Sequence, residues 1–170
     1  MNVDRLTVDP EAMREAMRQW ATGVTVVSSL HNGVRHGMTV SSFTSISLEP
    51  PIVLISLSRD TRTYDLVHRS GIFGVTLLNQ SQHEISDRFA GRTADDQDRF
   101  ADLETFVLHT GAPFLYGGLS YLDCVVIASQ EIGDHTLFIG KVIALQVEPD
   151  GSPLIYYNRD YHRLMHDNMT

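Results

Sequence analysis

The chain has one cysteine, almost no lysine and no long hydrophobic run, and each shortage closes a class of explanation. Cys124 stands alone, so no internal disulfide can staple the fold, and a cytoplasmic protein is the expectation. No apolar stretch nears the roughly 20 residues that a bilayer-spanning helix needs. Residues 1–20 are charged and lack the apolar run of a signal peptide, so no membrane association is expected. Lys141 is the only lysine among 13 basic residues, which face 21 acidic ones for a net charge of −8. A surface this acidic is poorly suited to displacing counterions from a phosphate backbone, and nucleic acid is not an expected partner. Chemical motifs are scarce too. No G-x-G-x-x-G follows a strand, as a Rossmann site requires, and there is no Walker loop and no G-x-S-x-G elbow. The histidines are scattered without zinc-like spacing, so no metal site is expected.

What remains describes an ordinary globular protein of 170 residues, 42% apolar and 20% charged, enough for one domain with a real core. A helix opens at Asp9-Pro10, a capping residue followed by proline at the first helical position. Met13, Ala16, Met17 and Trp20 then form one apolar stripe, which predicts a helix over about 10–20 packed on the body of the protein. From Gly23 the pattern turns extended: a β-branched run, the Asn32-Gly33 turn signal, and a returning strand make a hairpin. Strands are expected at 52–58, 73–78, 119–130, 136–147 and 153–157, the two long ones joined at Gly133-Asp134. A short helix fits 61–69 with Gly71 as its stop, and Ser81-Gln82-His83-Glu84 reads as a capping box opening a helix through Phe89. The acidic stretch 91–102 reads as a surface loop. Many strands at short spacing with few helices indicate a barrel, mainly β, rather than a parallel α/β sheet.

Three segments could carry chemistry. The first is the glycine and hydroxyl run Gly37-Met38-Thr39-Val40-Ser41-Ser42-Phe43-Thr44-Ser45, just before Pro50-Pro51. Small residues let a flat ring approach the main chain. The second is the cluster Ser56, Ser58, Arg59, Thr61, Arg62 and Thr63 at a helix start, where amides, hydroxyls and a guanidinium make a phosphate cradle. The third is Gly133-Asp134-His135 at a hairpin tip. Each also has a plain account: serine and threonine populate turns and edges, and a histidine beside a tight turn is often mere surface.

Taken in order and spacing, the chain resembles the flavin reductase family, the small components that feed reduced flavin to two-component monooxygenases. The likeness is carried by Ala21-Thr22-Gly23-Val24-Thr25-Val26-Val27 and by the run from Gly37 through Ser45-Ile46-Ser47-Leu48-Glu49-Pro50-Pro51. It continues through Phe73 and Val75, Arg88-Phe89-Ala90, Gly111-Ala112-Pro113, Gly133-Asp134-His135 with Ile139-Gly140, Pro153 to Tyr157, and Tyr161. The Ser-Phe-x-Ser-x-Ser-Leu-x-Pro-Pro string is the specific part.

The resemblance implies a single domain over 1–170: an FMN-binding split β-barrel over about 21–157, preceded by the N-terminal helix and followed by a short tail. It implies a homodimer with flavin near the subunit interface, and transfer of hydride from NADH or NADPH to FMN or FAD for a partner monooxygenase. Carried over by position, His36, Gly37, Met38, Thr39, Ser41 and Ser42 would contact the ring and ribityl chain, largely through backbone. Ser56, Leu57 and Ser58 would continue that wall, Arg62 and Thr63 would hold the phosphate, and Arg88 with Phe89 would close the far side. Gly133, Asp134 and His135 would meet the nicotinamide nucleotide, with Tyr161 nearby. Thr76 departs from the family, standing where many relatives carry asparagine, and Trp20 stands where phenylalanine is usual. The chain ends nine residues after Tyr161, where several relatives continue. The same architecture also serves flavin-binding proteins that leave nicotinamides alone and FMN- or deazaflavin-dependent oxidases, which form the alternative reading. In either case hydride chemistry belongs to the cofactor, and no side chain is strictly required for it.

Overall fold

The computed structural model describes residues 7–91 and 98–164. Helix α1 (Pro10–Met17) begins as expected, with the Asp9 carboxylate accepting the Ala12 N–H at 3.2 Å. It ends before Trp20, and none of its residues is buried. Met13, Met17 and Trp20 are 53, 48 and 67% exposed, so the expected packing of this stripe on the body does not occur within the protomer. The reason is the exit of the chain: the Arg18 carbonyl accepts from Asn158 and Tyr157 Oη bonds Gln19, which fixes the polar end of the helix and leaves the apolar face turned outward.

Strand β1 (Thr22–Gly23) is short, and β2 (Thr25–His31) and β3 (Val34–Val40) form the expected hairpin. Asn32 and Gly33 both have positive φ (49° and 76°), the conformation that matches a two-residue turn to the right-handed twist of its strands. Ser41 and Ser42 link β3 to β4 (Phe43–Leu48), and the cis Glu49–Pro50 bond turns the chain into β5 (Pro51–Ser58). Helix α2 (Arg62–Ser70) is capped by Thr61, whose Oγ1 accepts the Tyr64 N–H, and stopped by Gly71 at φ 70°. Next come β6 (Ile72–Leu77), α3 (His83–Phe89), the small pair β7 (Thr105–Val107) and β8 (Pro113–Leu115), and the long hairpin β9 (Ser120–Ile132) and β10 (His135–Val147). The chain closes with β11 (Ile155–Tyr157) and β12 (Asp160–His162), which join β1 in a three-stranded sheet. Pro153 makes only an isolated bridge to Asn79; β12 carries no signal beyond its tyrosine.

The seven-stranded sheet has the order β3-β2-β6-β9-β10-β5-β4, with every pairing antiparallel. Its two edges, β3 and β4, are neighbours in sequence yet do not pair. One core cluster nevertheless joins Val27, Val40, Ile55, Phe73, Cys124 and Phe138 from six strands, with Val67 of α2 plugging it. Only a sheet curled on itself brings those side chains together. This is a barrel split between β3 and β4, mainly β with few helices. A second core, under α3 and β11, packs Val26, Leu78, Phe89, Phe100 and Leu154 on the outer face. Among the described residues no helix is long and apolar enough to cross a membrane.

Two local expectations need correction. The capping box at 81–84 does not form: Asn79 Oδ1 takes the Ser81 N–H at 3.1 Å, and Gln82 becomes the N-cap without a side-chain cap bond. Its amide instead bridges Asn79 N–H and the Tyr116 carbonyl, both at 2.9 Å. Of the expected surface loop at 91–102, residues 92–97 lie outside the described residues, but its far end is anchored. Phe100 is buried edge-on against Phe89, with ring centroids 4.8 Å apart, and Arg35 grips Asp98 through two nitrogens at 2.7 and 3.0 Å. An aromatic inside an acidic stretch is the reason that segment docks.

Candidate functional site

The site grows from the free edge of β3. A two-residue turn makes its flanking residues, His31 and Val34, a hydrogen-bonded pair. Alternation along the ladder then points the N–H and C=O of His36 and Met38 toward β2, and those of Gly37 and Thr39 toward the open edge. The Gly37 carbonyl indeed accepts from Arg99 Nη1 at 3.1 Å. Side chains alternate as well. His36 is buried against the first turn of α2, its Nδ1 2.8 Å from Thr63 Oγ1, while Thr39 Oγ1 donates to the Ser86 carbonyl of α3 at 2.6 Å. The start of α2 and the body of α3 therefore stand on opposite sides of one exposed strand edge.

Between them lies a cavity of about 480 Å³, a size suited to a cofactor. Of the expected site residues, His36, Met38, Thr39, Ser41, Arg62, Thr63, Phe89 and Tyr161 line it. Arg62 is exposed at the first position of α2 and makes no ion pair among the described residues. Tyr64 N–H is taken by Thr61 Oγ1, while the amides of Arg62 and Thr63, both residues lining the cavity, have no acceptor within the helix. Tyr161 Oη lies 2.8 Å from both Ser86 Oγ and Asp87 Oδ1, so the β11–β12 hairpin is tied across the cavity to α3. A strand edge whose amides meet no neighbouring strand among the described residues, beside a helix start with an arginine, matches a planar heterocycle carrying a phosphate tail. A flavin nucleotide fits.

Other expected residues lie elsewhere. Ser42 and Ser56 line a second cavity of about 490 Å³, more apolar, with Trp20, Phe43 and Leu77. Val24 and Ser41 border both cavities, so the two adjoin across the serine link. The Leu57 side chain is in the barrel core, where only its main chain could face a ligand. Ser58 Oγ donates to Asp60 at 2.6 Å. Arg88 turns away to donate to the Ala101 carbonyl at 2.5 Å, holding the segment after α3. Gly37 is at the edge, but the space a Cβ would take is filled by Phe89 and Phe100 carbons at 3.0 Å; its smallness serves aromatic packing.

Gly133, Asp134 and His135 form the tip of the β9–β10 hairpin and do not line the cavity. His135 Nδ1 sits 2.7 Å from Asp134 Oδ1, a bond that holds the Asp134 carboxyl below its usual range. The tip is nonetheless fastened to the cavity wall. Arg59 N–H donates to the Asp134 carbonyl at 3.1 Å, its Nη2 to the Gly133 carbonyl at 2.7 Å, and its Nη1 pairs with Glu131. The next residues, Asp60 and Thr61, already line the cavity.

Sequence reasoning missed Arg99, Ser86, Tyr156 and Asp60, all on the cavity wall. Arg99 lay in a supposed loop, and Phe100 beside it was the one signal of docking. Cys124 is buried, and burial, then the neighbouring Asp123, push its thiol up to about 12, which disfavours the thiolate.

The model of the flavin reductase like domain matches residues 17–165. An NADH-dependent flavin reductase from Rhodococcus is 38% identical over 160 residues, covering 92% of this chain and 88% of that protein. The reductase subunit of a flavin-dependent monooxygenase from Mycobacterium tuberculosis is 34% identical over 156 residues, 91% and 82% of the two chains. Among solved structures, a Streptomyces globisporus NADH:FAD oxidoreductase in complex with NAD and FAD fragments superposes with a TM-score of 0.86 at 30% identity, covering 96% of this chain and 99% of that one. Sequence and fold agree: the chain belongs to the flavin reductase family.

Proposed function

We propose that the protein transfers hydride from NADH or NADPH to FMN or FAD and passes the reduced flavin to a partner monooxygenase. The observation that carries this reading is the free edge of β3 opening into a cavity whose other wall is the first turn of α2 with Arg62. The Rhodococcus and Mycobacterium relatives, one named for NADH and one for a monooxygenase, support the donor and the recipient.

A bound flavin supplies a ring that accepts hydride directly. The chain's part is to hold and orient. Arg62 and the Thr63 turn bind the phosphate, while the Gly37 and Thr39 amides bond the polar rim of the ring. Phe89 and Tyr161 limit its movement, and the tip at Gly133, Asp134 and His135, held by Arg59, receives the nicotinamide nucleotide. Orientation of two rings lowers the barrier by several kcal/mol, on the order of what positioning alone supplies. No side chain passes a proton, so no single substitution abolishes turnover.

The flavin sits near a subunit interface in a homodimer. Its support is the apolar side chains left exposed along the long hairpin, Val125, Ile127, Ile143, Leu145 and Val147, with Ile46 and Leu48 on β4; exposed apolar groups in such number mark contact surfaces.

The test is direct. Purified protein is mixed with NADH, with and without FMN, and the nicotinamide absorbance is followed. Consumption only in the presence of flavin is expected. Flavin binding with no consumption would replace the reductase by a flavin carrier.

A further inference from the structure

We propose that Arg59 is a positioning residue that fixes the tip of the β9–β10 hairpin, and through it His135, relative to the cavity beside β3; this rests on the reading of that tip as the place where the nicotinamide nucleotide binds. The β5–β10 ladder ends at the pair Ser58 and His135. Arg59 is the next residue, and its N–H to the Asp134 carbonyl, at 3.1 Å, makes the last rung. Its side chain then continues past the end of the ladder. Nη2 donates to the Gly133 carbonyl at 2.7 Å, and Nη1 reaches Glu131 on β9. A single residue at the exit of β5 thus spans the end of β10 and holds both arms of the hairpin.

On its other side Arg59 belongs to the cavity wall. Thr61 donates to the Ser58 carbonyl twice, through its N–H at 3.3 Å and its Oγ1 at 2.8 Å, and Ser58 Oγ donates to Asp60. Arg59 therefore sits inside a closed turn whose far end, Asp60 and Thr61, lines the cavity and caps α2. At the tip, Asp134 accepts from Arg59 on its carbonyl and holds His135 Nδ1 with its carboxylate at 2.7 Å. Contacts run unbroken from the cavity wall through Arg59 and Asp134 to the His135 ring. Arg59 itself lines neither cavity. Its fork is engaged by a carboxylate and a carbonyl, an arrangement suited to holding chain rather than the phosphate of a ligand. The side chains of Arg59 and Glu131 are 38 and 67% exposed, and a pair this open to solvent adds little to stability. Its loss should show in the position of the tip rather than in folding.

Steady-state kinetics with NADH at saturating FMN test this on the full chain. The parent is compared with Arg59→Gln, Arg59→Lys, His135→Ala and the Arg59→Gln/His135→Ala double variant, each also titrated with FMN by fluorescence and unfolded by heat. Arg59→Gln is expected to raise the Michaelis constant for NADH about threefold or more, the scale of a displaced hydrogen bond. Its kcat and FMN affinity should stay within about twofold, the split left by lost binding rather than lost chemistry. Arg59→Lys, which keeps the charge and one donor group, should recover part of the loss. Because Arg59 acts through His135, the double variant should lose less than the product of the two single losses. Strictly multiplicative losses would mean that Arg59 meets the donor independently and would overturn the proposal. NADH and FMN weakening in parallel, with a lower melting temperature, would overturn it too by reducing Arg59 to a structural contact. An effect of His135→Ala with none from Arg59→Gln would overturn the positioning and leave the tip reading standing. No effect from either would remove the nicotinamide from the tip, and the proposal with it.

Discussion

Asp98 shows how one carboxylate can dock an irregular stretch of chain. Partial burial works against its charged form, but donation from Arg35 and from the Phe100 N–H outweighs that, and the group titrates below its usual value. Because its pKa is depressed by folding, its contribution to stability is whole above the unfolded carboxylate value, 3.8, and is lost as pH falls through the lower folded one. Thermal unfolding of the parent and of Asp98→Asn is therefore expected to differ at neutral pH and to converge in acid. A gap that persists at the lowest pH would assign the effect to something other than this charge. At the tip of the β9–β10 hairpin, His135→Ala is expected to raise the apparent Michaelis constant for NADH about fivefold, the scale of one lost hydrogen bond, with FMN affinity unchanged. An unaltered constant would return His135 to surface decoration on its turn.

At the scale of elements, the site depends on packing between pieces that meet only in the fold. Strand β3, helix α3 and the segment from Asp98 interlock through Gly37, Phe89 and Phe100. Gly37→Ala places a methyl group 3.0 Å from two aromatic carbons, and neither ring can retreat without opening the outer core. A loss of about 1–3 kcal/mol is expected, as for overpacking elsewhere, together with weaker flavin binding. Denaturant unfolding checks the first part; unchanged stability would mean that the rings yield freely. The elements themselves were largely legible. Asn32-Gly33, Gly71 and the run at 52–58 after Pro50-Pro51 announced a hairpin, a helix stop and a strand, and all three formed. What misled was local chemistry with two outlets. Ser81 resembled a cap, but Asn79 engaged its amide first. The stripe of α1 resembled a buried face, because periodicity reports that a face is apolar and not what covers it.

For the whole molecule the same ambiguity returns at the long hairpin. Val125, Ile127, Ile143, Leu145 and Val147 are exposed along β9 and β10, although β-branched strands usually bury such side chains. A second copy on this surface, as in the proposed homodimer, would cover them. Sedimentation is expected to show a dimer for the parent and a monomer for Leu145→Lys combined with Ile127→Lys, two lysines on each protomer in an apolar contact. A monomeric parent at micromolar concentration would remove the homodimer from the proposal.

The linear order of residues determined the class of the protein, through the hydroxyl run before Pro50-Pro51 and the spacing of its companion motifs. It also determined the strands, because side-chain alternation and turn chemistry act over a few neighbours. Only the tertiary structure decided which of the candidate residues share a space. Leu57 and Arg88 left the cavity wall for the core and for the Ala101 carbonyl, and Arg99 and Ser86 arrived there unannounced. The cause is physical: the cavity exists because a curled sheet leaves one edge unpaired between two helices, and contacts between residues 27 to 75 positions apart carry no local periodicity.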